Sequence, residues 1–142
     1  MHQLIPSHQS LDLTIDCATE VARIENAIQS AVFHILRRRG VVVGVSGGID
    51  SSVVAFLCAR ALGNHRVLAL FTPEADSSPD SLRLGRSVAK ALGIESVEED
   101  ITPILTGARC YERRDASIRR IVPEYGEGWK SKIALPQLAA HF

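Results

Sequence analysis

A short β-branched run followed by two adjacent glycines is the feature that most constrains the fold of this chain. The run, Val41–Val45, is typical of a parallel-sheet strand that is covered on both faces. Gly47 and Gly48 lack a Cβ, so the backbone can turn sharply after the strand. A helix is predicted to begin near Asp50. The chain is therefore expected to hold a tight turn at the carboxyl end of a buried strand, and residues 46–52 are called the glycine loop below.

Helical patterns flank this unit on both sides. Apolar residues at helical spacing follow Asp16, a good N-cap residue, and Gly40 is predicted to end that first helix. The helix after the glycine loop is predicted to end at Gly63. Its packing side is predicted to consist of Val53, Phe56, Leu57 and Ala61.

The alternation of strands and helices continues beyond this second helix. Val67–Phe71 is another apolar run, and Ser96–Ile101 is predicted to be the third strand. Between them Ser78 can cap a helix whose first position holds Pro79. Such alternation predicts an α/β fold, a doubly wound, Rossmann-like parallel sheet.

The pattern is weakest near the two termini. Residues 1–15 show no clear period and are predicted to be an irregular lead-in. A short helix at 103–107 and a charged helix at 112–121 follow the third strand, and the remaining segment offers no partner for another layer. Residues 16–142 are therefore interpreted as the N-terminal part of one α/β domain whose sheet is incomplete at the C-terminus.

Composition argues against several classes of protein. Sixteen Lys and Arg balance sixteen Asp and Glu, so no overall field favours nucleic acid or a membrane surface. Cys17, Cys58 and Cys110 are far apart and show neither disulfide-framework nor zinc-ligand spacing. No apolar stretch has the length of a membrane span. We expect a cytoplasmic protein that binds neither nucleic acid nor membranes.

The glycine loop is the predicted site of chemistry. Open α/β sheets bind ligands at the carboxyl ends of their strands, and the first N–H groups of a helix attract anions. The loop has neither the Walker A pattern nor the GxGxxG dinucleotide pattern. The residues expected around a di- or triphosphate are Gly44, Val45, Ser46, Gly47, Gly48, Ile49, Asp50, Ser51 and Ser52.

An aspartate in such a loop implies a cation. The carboxylate of Asp50 would repel phosphates, whereas a magnesium ion accepts oxygen ligands from a carboxylate and from phosphates together. Asp50 is therefore predicted to be a Mg²⁺ ligand. The alternative is a glycine turn with a purely structural role, which leaves the aspartate and the serines without an explanation.

The heptapeptide Ser46–Ser52, with the sequence SGGIDSS, resembles the SGG-x-DS-[ST] signature of the PP-loop ATP pyrophosphatases. This superfamily is also called adenine nucleotide α-hydrolase-like. Its members adenylate a substrate oxygen, release pyrophosphate and displace AMP with a nitrogen or sulfur nucleophile. The resemblance implies that ATP binds here and that Ser46 and Asp50 act on the departing pyrophosphate. It also implies that backbone groups of Leu70, Phe71 and Thr72 lie against adenine.

Residues beyond the second strand resemble one branch, the ammonia-dependent NAD synthetases. In that branch a proline, here Pro73, precedes a serine-rich helix start, here Ser77 and Ser78 with Ser81, and residues 100–104 are similar to the third-strand exit. The resemblance covers residues 16–105. It implies amidation of deamido-NAD with ammonia at the expense of ATP, with Mg²⁺ as cofactor and a homodimer as the complete assembly.

Two alternatives stay open. One is a nucleotide-binding module without ligase activity, and the other is a different PP-loop ATP pyrophosphatase of the tRNA-modifying, GMP synthetase or asparagine synthetase type. NAD synthetases are roughly twice this length, a size more usual for a large domain or two domains. The chain therefore resembles only their N-terminal part, and we expect it to turn over little substrate alone.

Overall fold

A computed structural model of the protein describes residues 14–129 and residue 131. The chain divides after Asp100 into two compact units. The first unit contains a parallel sheet with helices, and the second contains two short helices. The predicted lead-in lies outside the described residues except for Thr14 and Ile15.

Helices and strands alternate in the first unit in the predicted order. Its helices are α1 (Cys17–Gln29), α2 (Ile49–Leu62) and α3 (Pro79–Leu92), and its strands are β1 (Val41–Gly44), β2 (Val67–Phe71) and β3 (Glu95–Glu98). A π-helical stretch, Ser30–Ile35, continues α1, and a 3-10 turn, Asn64–Arg66, precedes β2. The second unit contains α4 (Thr102–Gly107) and α5 (Cys110–Arg119).

The three strands form one parallel sheet in the order β1-β2-β3. Gly44 at the end of β1 is in register with Leu70, and Phe71 at the end of β2 is in register with Glu98. Helix α2 packs on β1 and β2, helix α3 packs on β2 and β3, and the two helices contact each other. Both crossover helices therefore lie on the same face of the sheet, which confirms the predicted α/β class.

Mostly small apolar side chains fill the space between the sheet and these helices. Ala55 of α2 and Ala69 of β2 have no accessible surface at all. Burial raises the pKa of the Cys58 thiol, and all three cysteines are free, so Cys58 is a small core residue. The main core consists of Val43, Val45, Ala55, Cys58, Ala59, Val67, Ala69, Phe71, Ala89, Leu92 and Ile94.

The prediction that the first strand is covered on both faces is wrong for Val42. This side chain is 61% exposed, and Val97 on the same face of the sheet is 45% exposed. The reason is topological: among the described residues, both crossover helices lie on the opposite face of the sheet. The strand also ends at Gly44, although Val45 N still donates to Leu70 O at 3.0 Å.

The predicted packing side of α2 is confirmed for Ala61, which is buried, and is wrong for Val53 and Phe56, which are 50% and 44% exposed. Leu57 is half-buried. The other buried residues of the helix are Ala55, Cys58, Ala59 and Leu62. Helix α2 is apolar on nearly every side, so the positions of its large side chains could not identify the packing face. Close approach of a helix to a sheet selects the face with small residues instead.

The predicted helix ends are confirmed in part. Asp16 caps α1 by accepting from the N–H groups of Ala18 and Thr19. The helical segment ends at Ile35 rather than at Gly40, because a π-helical turn is followed by Arg37 in the left-handed region (φ 50°). The second strand has the predicted bounds.

The remaining boundaries shift by one to three residues. The third strand is Glu95–Glu98 rather than 96–101, and the helices predicted at 103–107 and 112–121 are Thr102–Gly107 and Cys110–Arg119. In the second unit Arg109 adopts a left-handed conformation (φ 58°) before α5. Within residues 14–129, no helix is both long and apolar enough to span a membrane.

Candidate functional site

The site is built where β1 and β2 end side by side. The parallel register brings Gly44 next to Leu70, and the hydrogen bond from Val45 N to Leu70 O continues the pairing for one residue beyond β1. The segments that follow β1 and β2 then leave the sheet at its carboxyl edge. This edge is where ligands bind in open α/β sheets.

The glycine loop turns the chain from β1 into α2. Gly47 has a φ of +79°, a conformation that favours glycine, and Gly48 is the extended N-cap residue of α2. No side chain caps this helix. The N–H groups at the start of a helix lack intrahelical acceptors. The start of α2 therefore presents uncapped N–H groups and the positive end of a helix dipole at the carboxyl edge of the sheet.

The serines of the loop hydrogen bond mainly to one another and to the loop backbone. Ser46 Oγ lies 3.1 Å from Ser51 Oγ, and the Ser46 amide donates to Ser51 Oγ at 3.2 Å. Ser52 Oγ donates to Gly48 O at 2.8 Å. These bonds close the turn across the two glycines. Hydroxyls can rotate, so the same groups can donate to an anion without moving the backbone.

Asp50 lies in the first turn of α2 and is solvent-exposed. In the part of the chain that the structure describes, no three His, Cys, Asp or Glu side chains gather as a metal site. A magnesium ion at Asp50 would therefore take its other ligands from phosphates and water, the donor set that Mg²⁺ commonly uses in nucleotide sites. The residues present fit the predicted ion.

A cavity of about 240 Å³ opens between the ends of β1 and β2 and the start of α3. None of its lining residues carries a charged side chain, and the wall combines apolar groups with hydroxyls. The lining consists of Gly44, Val45, Ser46, Leu70, Phe71, Thr72, Pro73, Ser77, Ser78, Ser81 and Leu82. Such a wall suits an uncharged, flat, partly polar group rather than a free anion.

Six of the predicted site residues meet at this cavity, namely Gly44, Val45, Ser46, Leu70, Phe71 and Thr72. Three others, Gly47, Ile49 and Ser52, line a second cavity of about 460 Å³ that also involves Val21 of α1. Gly48, Asp50 and Ser51 line neither of these two cavities. The structure thus places the glycine loop between two cavities rather than around one.

The start of α3 contributes wall residues that were not predicted as binding residues. Ser77, Ser78, Ser81 and Leu82 reach the cavity because α3 and α2 cover the same face of the sheet. The sequence signal is the serine-rich helix start that follows the second strand, which supports the family resemblance and predicts the helix cap but was not interpreted as a binding feature. The cap is confirmed by the hydrogen bond from the Asp80 amide to Ser78 Oγ.

Comparison with known proteins confirms the family that the sequence resembles. The family model described as NAD synthase matches residues 20–120. The chain is 56% identical over 123 residues to the NH(3)-dependent NAD(+) synthetase of Mesorhizobium japonicum, covering 87% of this chain and 39% of that protein. It is 52% identical over 123 residues to the enzyme of the same name from Rhizobium rhizogenes, covering 87% of this chain and 37% of the relative.

A solved structure extends the comparison to three dimensions. The chain is similar to the NH3-dependent NAD synthetase from Campylobacter jejuni, with a TM-score of 0.63 and 27% identity over 78% of this chain and 50% of that chain. The chain thus spans about two-fifths of the length of the curated relatives it matches and half of the solved one.

Proposed function

The chain belongs to the NAD synthase family, and on this premise we propose that residues 16–142 are the N-terminal, ATP-binding part of an ammonia-dependent NAD synthetase. The observation that carries the proposal is the start of α2. Its N-cap residue, Gly48, provides no side-chain cap, and Ser46, two residues earlier in the loop, lines the cavity between β1 and β2. A helix start without a side-chain cap that follows the wall of an uncharged cavity suits a ligand with a polyphosphate at one end and a neutral heterocycle at the other.

In this proposal the loop binds the phosphates and the strand ends bind the adenosine. The backbone of the glycine loop binds phosphate oxygens through its N–H groups, and the hydroxyls of Ser46, Ser51 and Ser52 add donors. The ends of β1 and β2 hold the adenosine part between them. The residues involved are Gly44 and Val45 on one side and Leu70, Phe71 and Thr72 on the other.

The proposed reaction joins ammonia to the carboxylate of deamido-NAD. A carboxylate oxygen attacks the α-phosphorus of ATP, the bond to the β-phosphate breaks, and pyrophosphate leaves. Ammonia then attacks the acyl carbon, loses a proton and displaces AMP, which gives NAD. The site must stabilise charge on the departing pyrophosphate, and preorganised N–H and hydroxyl donors at Ser46–Ser52 do so without reorganising at the moment of reaction.

Asp50 is proposed to hold Mg²⁺. When bound, the ion supplies positive charge to the phosphates. No charged side chain lines the 240 Å³ cavity, so this charge complements the partial charge of the helix start. Asp50 lies in the first turn of α2, two residues after Gly48.

Residues beyond this chain's length in the relatives are proposed to complete the site for deamido-NAD. The complete enzyme is proposed to act as a homodimer in the cytoplasm with small-molecule substrates, namely ATP, deamido-NAD and ammonia. Neither nucleic acid nor a membrane enters this proposal.

The test is the Mg²⁺ dependence of ATP binding in Asp50→Ala, measured by titration calorimetry with Mg²⁺ and with a chelator. We expect Mg²⁺ to tighten ATP binding to the parent chain by at least about tenfold, about 1.4 kcal/mol. Asp50→Ala should lose this increment, because the only proposed protein ligand of the ion is gone.

Asp80→Ala is the matched control, since Asp80 is the acidic residue in the first turn of α3. It should keep the Mg²⁺ increment of the parent chain. Equal Mg²⁺ dependence in the parent and in Asp50→Ala would refute the metal assignment. Binding of ATP without any formation of AMP in the full-length protein, with deamido-NAD and ammonia supplied, would favour a nucleotide-binding module over a ligase.

A further inference from the structure

Helix α3 lies so close to the glycine loop and to the end of β2 that two glycines, Gly47 and Gly85, leave little or no room for a Cβ. A Cβ placed on Gly85 would lie 3.1 Å from Phe71 Cε1 and 3.2 Å from Val45 O. A Cβ placed on Gly47 would lie 2.6 Å from Ser81 O and 2.7 Å from Leu84 Cβ. Both glycines are therefore part of one close contact between loop and helix.

Gly85 has no local reason to be a glycine. It is a buried residue in the interior of α3, where alanine is the better helix former. Its backbone conformation is helical, so no turn requires it. The contacts with Phe71 and Val45 are the remaining explanation for the missing side chain.

These contacts join the two chain segments that form the proposed nucleotide site. Val45 leads directly into the glycine loop, and Phe71 is the last residue of β2; both line the 240 Å³ cavity. Ser81 and Leu84, on the same side of α3 as Gly85, support Gly47 from behind. Helix α3 therefore contacts both the residues that lead into the loop and the end of β2.

We propose that Gly85 is a positioning residue of the glycine loop. Without a Cβ it lets α3 approach Val45 and Phe71, and α3 in turn holds Gly47 in its left-handed turn. The inference rests on the proposed function, because this spacing matters to a ligand that contacts both the loop and the end of β2. An added Cβ forces the neighbours apart by a few tenths of an ångström, since one contact is backbone and the other is a packed ring.

The experiment compares Gly85→Ala with Ala89→Val. Ala89 lies one helical turn further along α3 and is also buried in the main core, but it is not among the three nearest neighbours that a Cβ on Gly47 would meet. Amide resonances of Gly47 and Gly48 are recorded by NMR without nucleotide, ATP affinity is measured with Mg²⁺, and the thermal midpoint is measured for each variant.

We expect Gly85→Ala to shift both glycine resonances and to weaken ATP binding on the order of tenfold or more, because small misplacements of binding groups are costly. Ala89→Val should lower the thermal midpoint at least as much and leave both readouts near the parent values. Gly85→Ala gains helix propensity, so its fold is expected to survive.

Unchanged glycine resonances and unchanged affinity in Gly85→Ala would overturn the proposal. Equal loss of affinity in both variants at the same drop in midpoint would also overturn it, because the effect would then be one of global packing. A parent chain that binds no ATP contradicts the proposed function instead, and the nucleotide-free resonances still decide the role of Gly85.

Discussion

Helices α2 and α3 both begin just after a strand of the same sheet, yet their first turns are built differently. Ser78 caps α3 by accepting from the Asp80 amide, and Pro79 occupies the first helical position, where it has no N–H to satisfy. Helix α2 begins at Gly48 without any side-chain cap. The chain thus caps the start of one helix with a side chain and leaves the start of the other without such a cap.

The presence or absence of a side-chain cap distinguishes a helix start with a structural role from one that can attract an anion. A side-chain cap removes the orphan donors that would otherwise attract an anion. Helix α1 resembles α3 in this respect, since Asp16 accepts two backbone N–H groups. Of the three helices in the first unit, α2 alone pairs an uncapped start with a glycine in the left-handed region. Changes at Gly47 and Gly48 should therefore affect binding, and changes at the capped start of α1, which does not line the 240 Å³ cavity, should affect only stability.

The largest effect is expected for Gly47→Ala. The residue has a φ of +79°, which costs about 1–2 kcal/mol for alanine, and the new Cβ would overlap the backbone oxygen of Ser81. We expect a loss of about 2–4 kcal/mol in the free energy of unfolding, since overpacking adds to the strain. ATP binding should fall below detection in the same variant.

Gly48→Ala is the matched control for that variant. Gly48 has a φ of −75°, and the nearest atom to a Cβ there is Ser46 Oγ at 3.5 Å. It should cost no more than about 1 kcal/mol, because alanine is only a poor N-cap residue. Urea unfolding of both variants measures the difference. Similar losses at the two positions would contradict the role assigned to the left-handed turn.

A smaller effect is expected when the start of α2 is made to resemble that of α3. Gly48→Asp supplies a carboxylate that can cap the helix, and it should stabilise the chain by a few tenths of a kcal/mol. The same carboxylate competes with phosphate for the N–H groups, so ATP affinity should drop by at least about tenfold. Urea unfolding measures the expected gain in stability, and calorimetric titration measures the expected loss of ATP affinity. A gain in stability without loss of affinity would show that the helix start does not bind the phosphates.

The smallest effect is expected at the capped start of α1. The Thr19 hydroxyl, then the Thr19 and Ala18 amides, hold the pKa of Asp16 below its ordinary value of 3.8. Because the folded pKa is depressed, this stabilisation is complete above 3.8 and is lost as the pH falls through the lowered value. The difference in urea midpoint between the parent and Asp16→Ala should therefore be constant near neutral pH and shrink in acid.

Thr19→Val provides the control for the pH experiment. It removes the largest cause of the shift while keeping the shape of the side chain, so the pH-dependent part of the difference should be smaller and its decline should end nearer 3.8. ATP affinity should not change in either variant, since α1 is capped by its own chain. If the difference in urea midpoint between the parent and Asp16→Ala grew in acid, the pKa of Asp16 would not be lowered by folding.

Features that depend on neighbouring residues could be predicted from the sequence. Strand β2 has the predicted bounds because its apolar run is the central strand of the sheet, and Asp16 and Ser78 cap the helices as expected. The packing face of α2 was not predictable, because the helix is apolar around most of its circumference. The exposure of Val42 was missed for another reason: an apolar run does not say how many of its faces receive a helix.

The candidate site divides in the same way. The order of residues in SGGIDSS determines a glycine turn, a helix start and a carboxylate within one loop, because these are properties of neighbouring residues. Tertiary structure alone decided that the start of α3 joins the cavity wall and that Gly85 meets Val45 and Phe71. Such contacts depend on two crossover helices lying on the same face of a parallel sheet, and that placement is set by packing between segments some forty residues apart rather than by either segment alone.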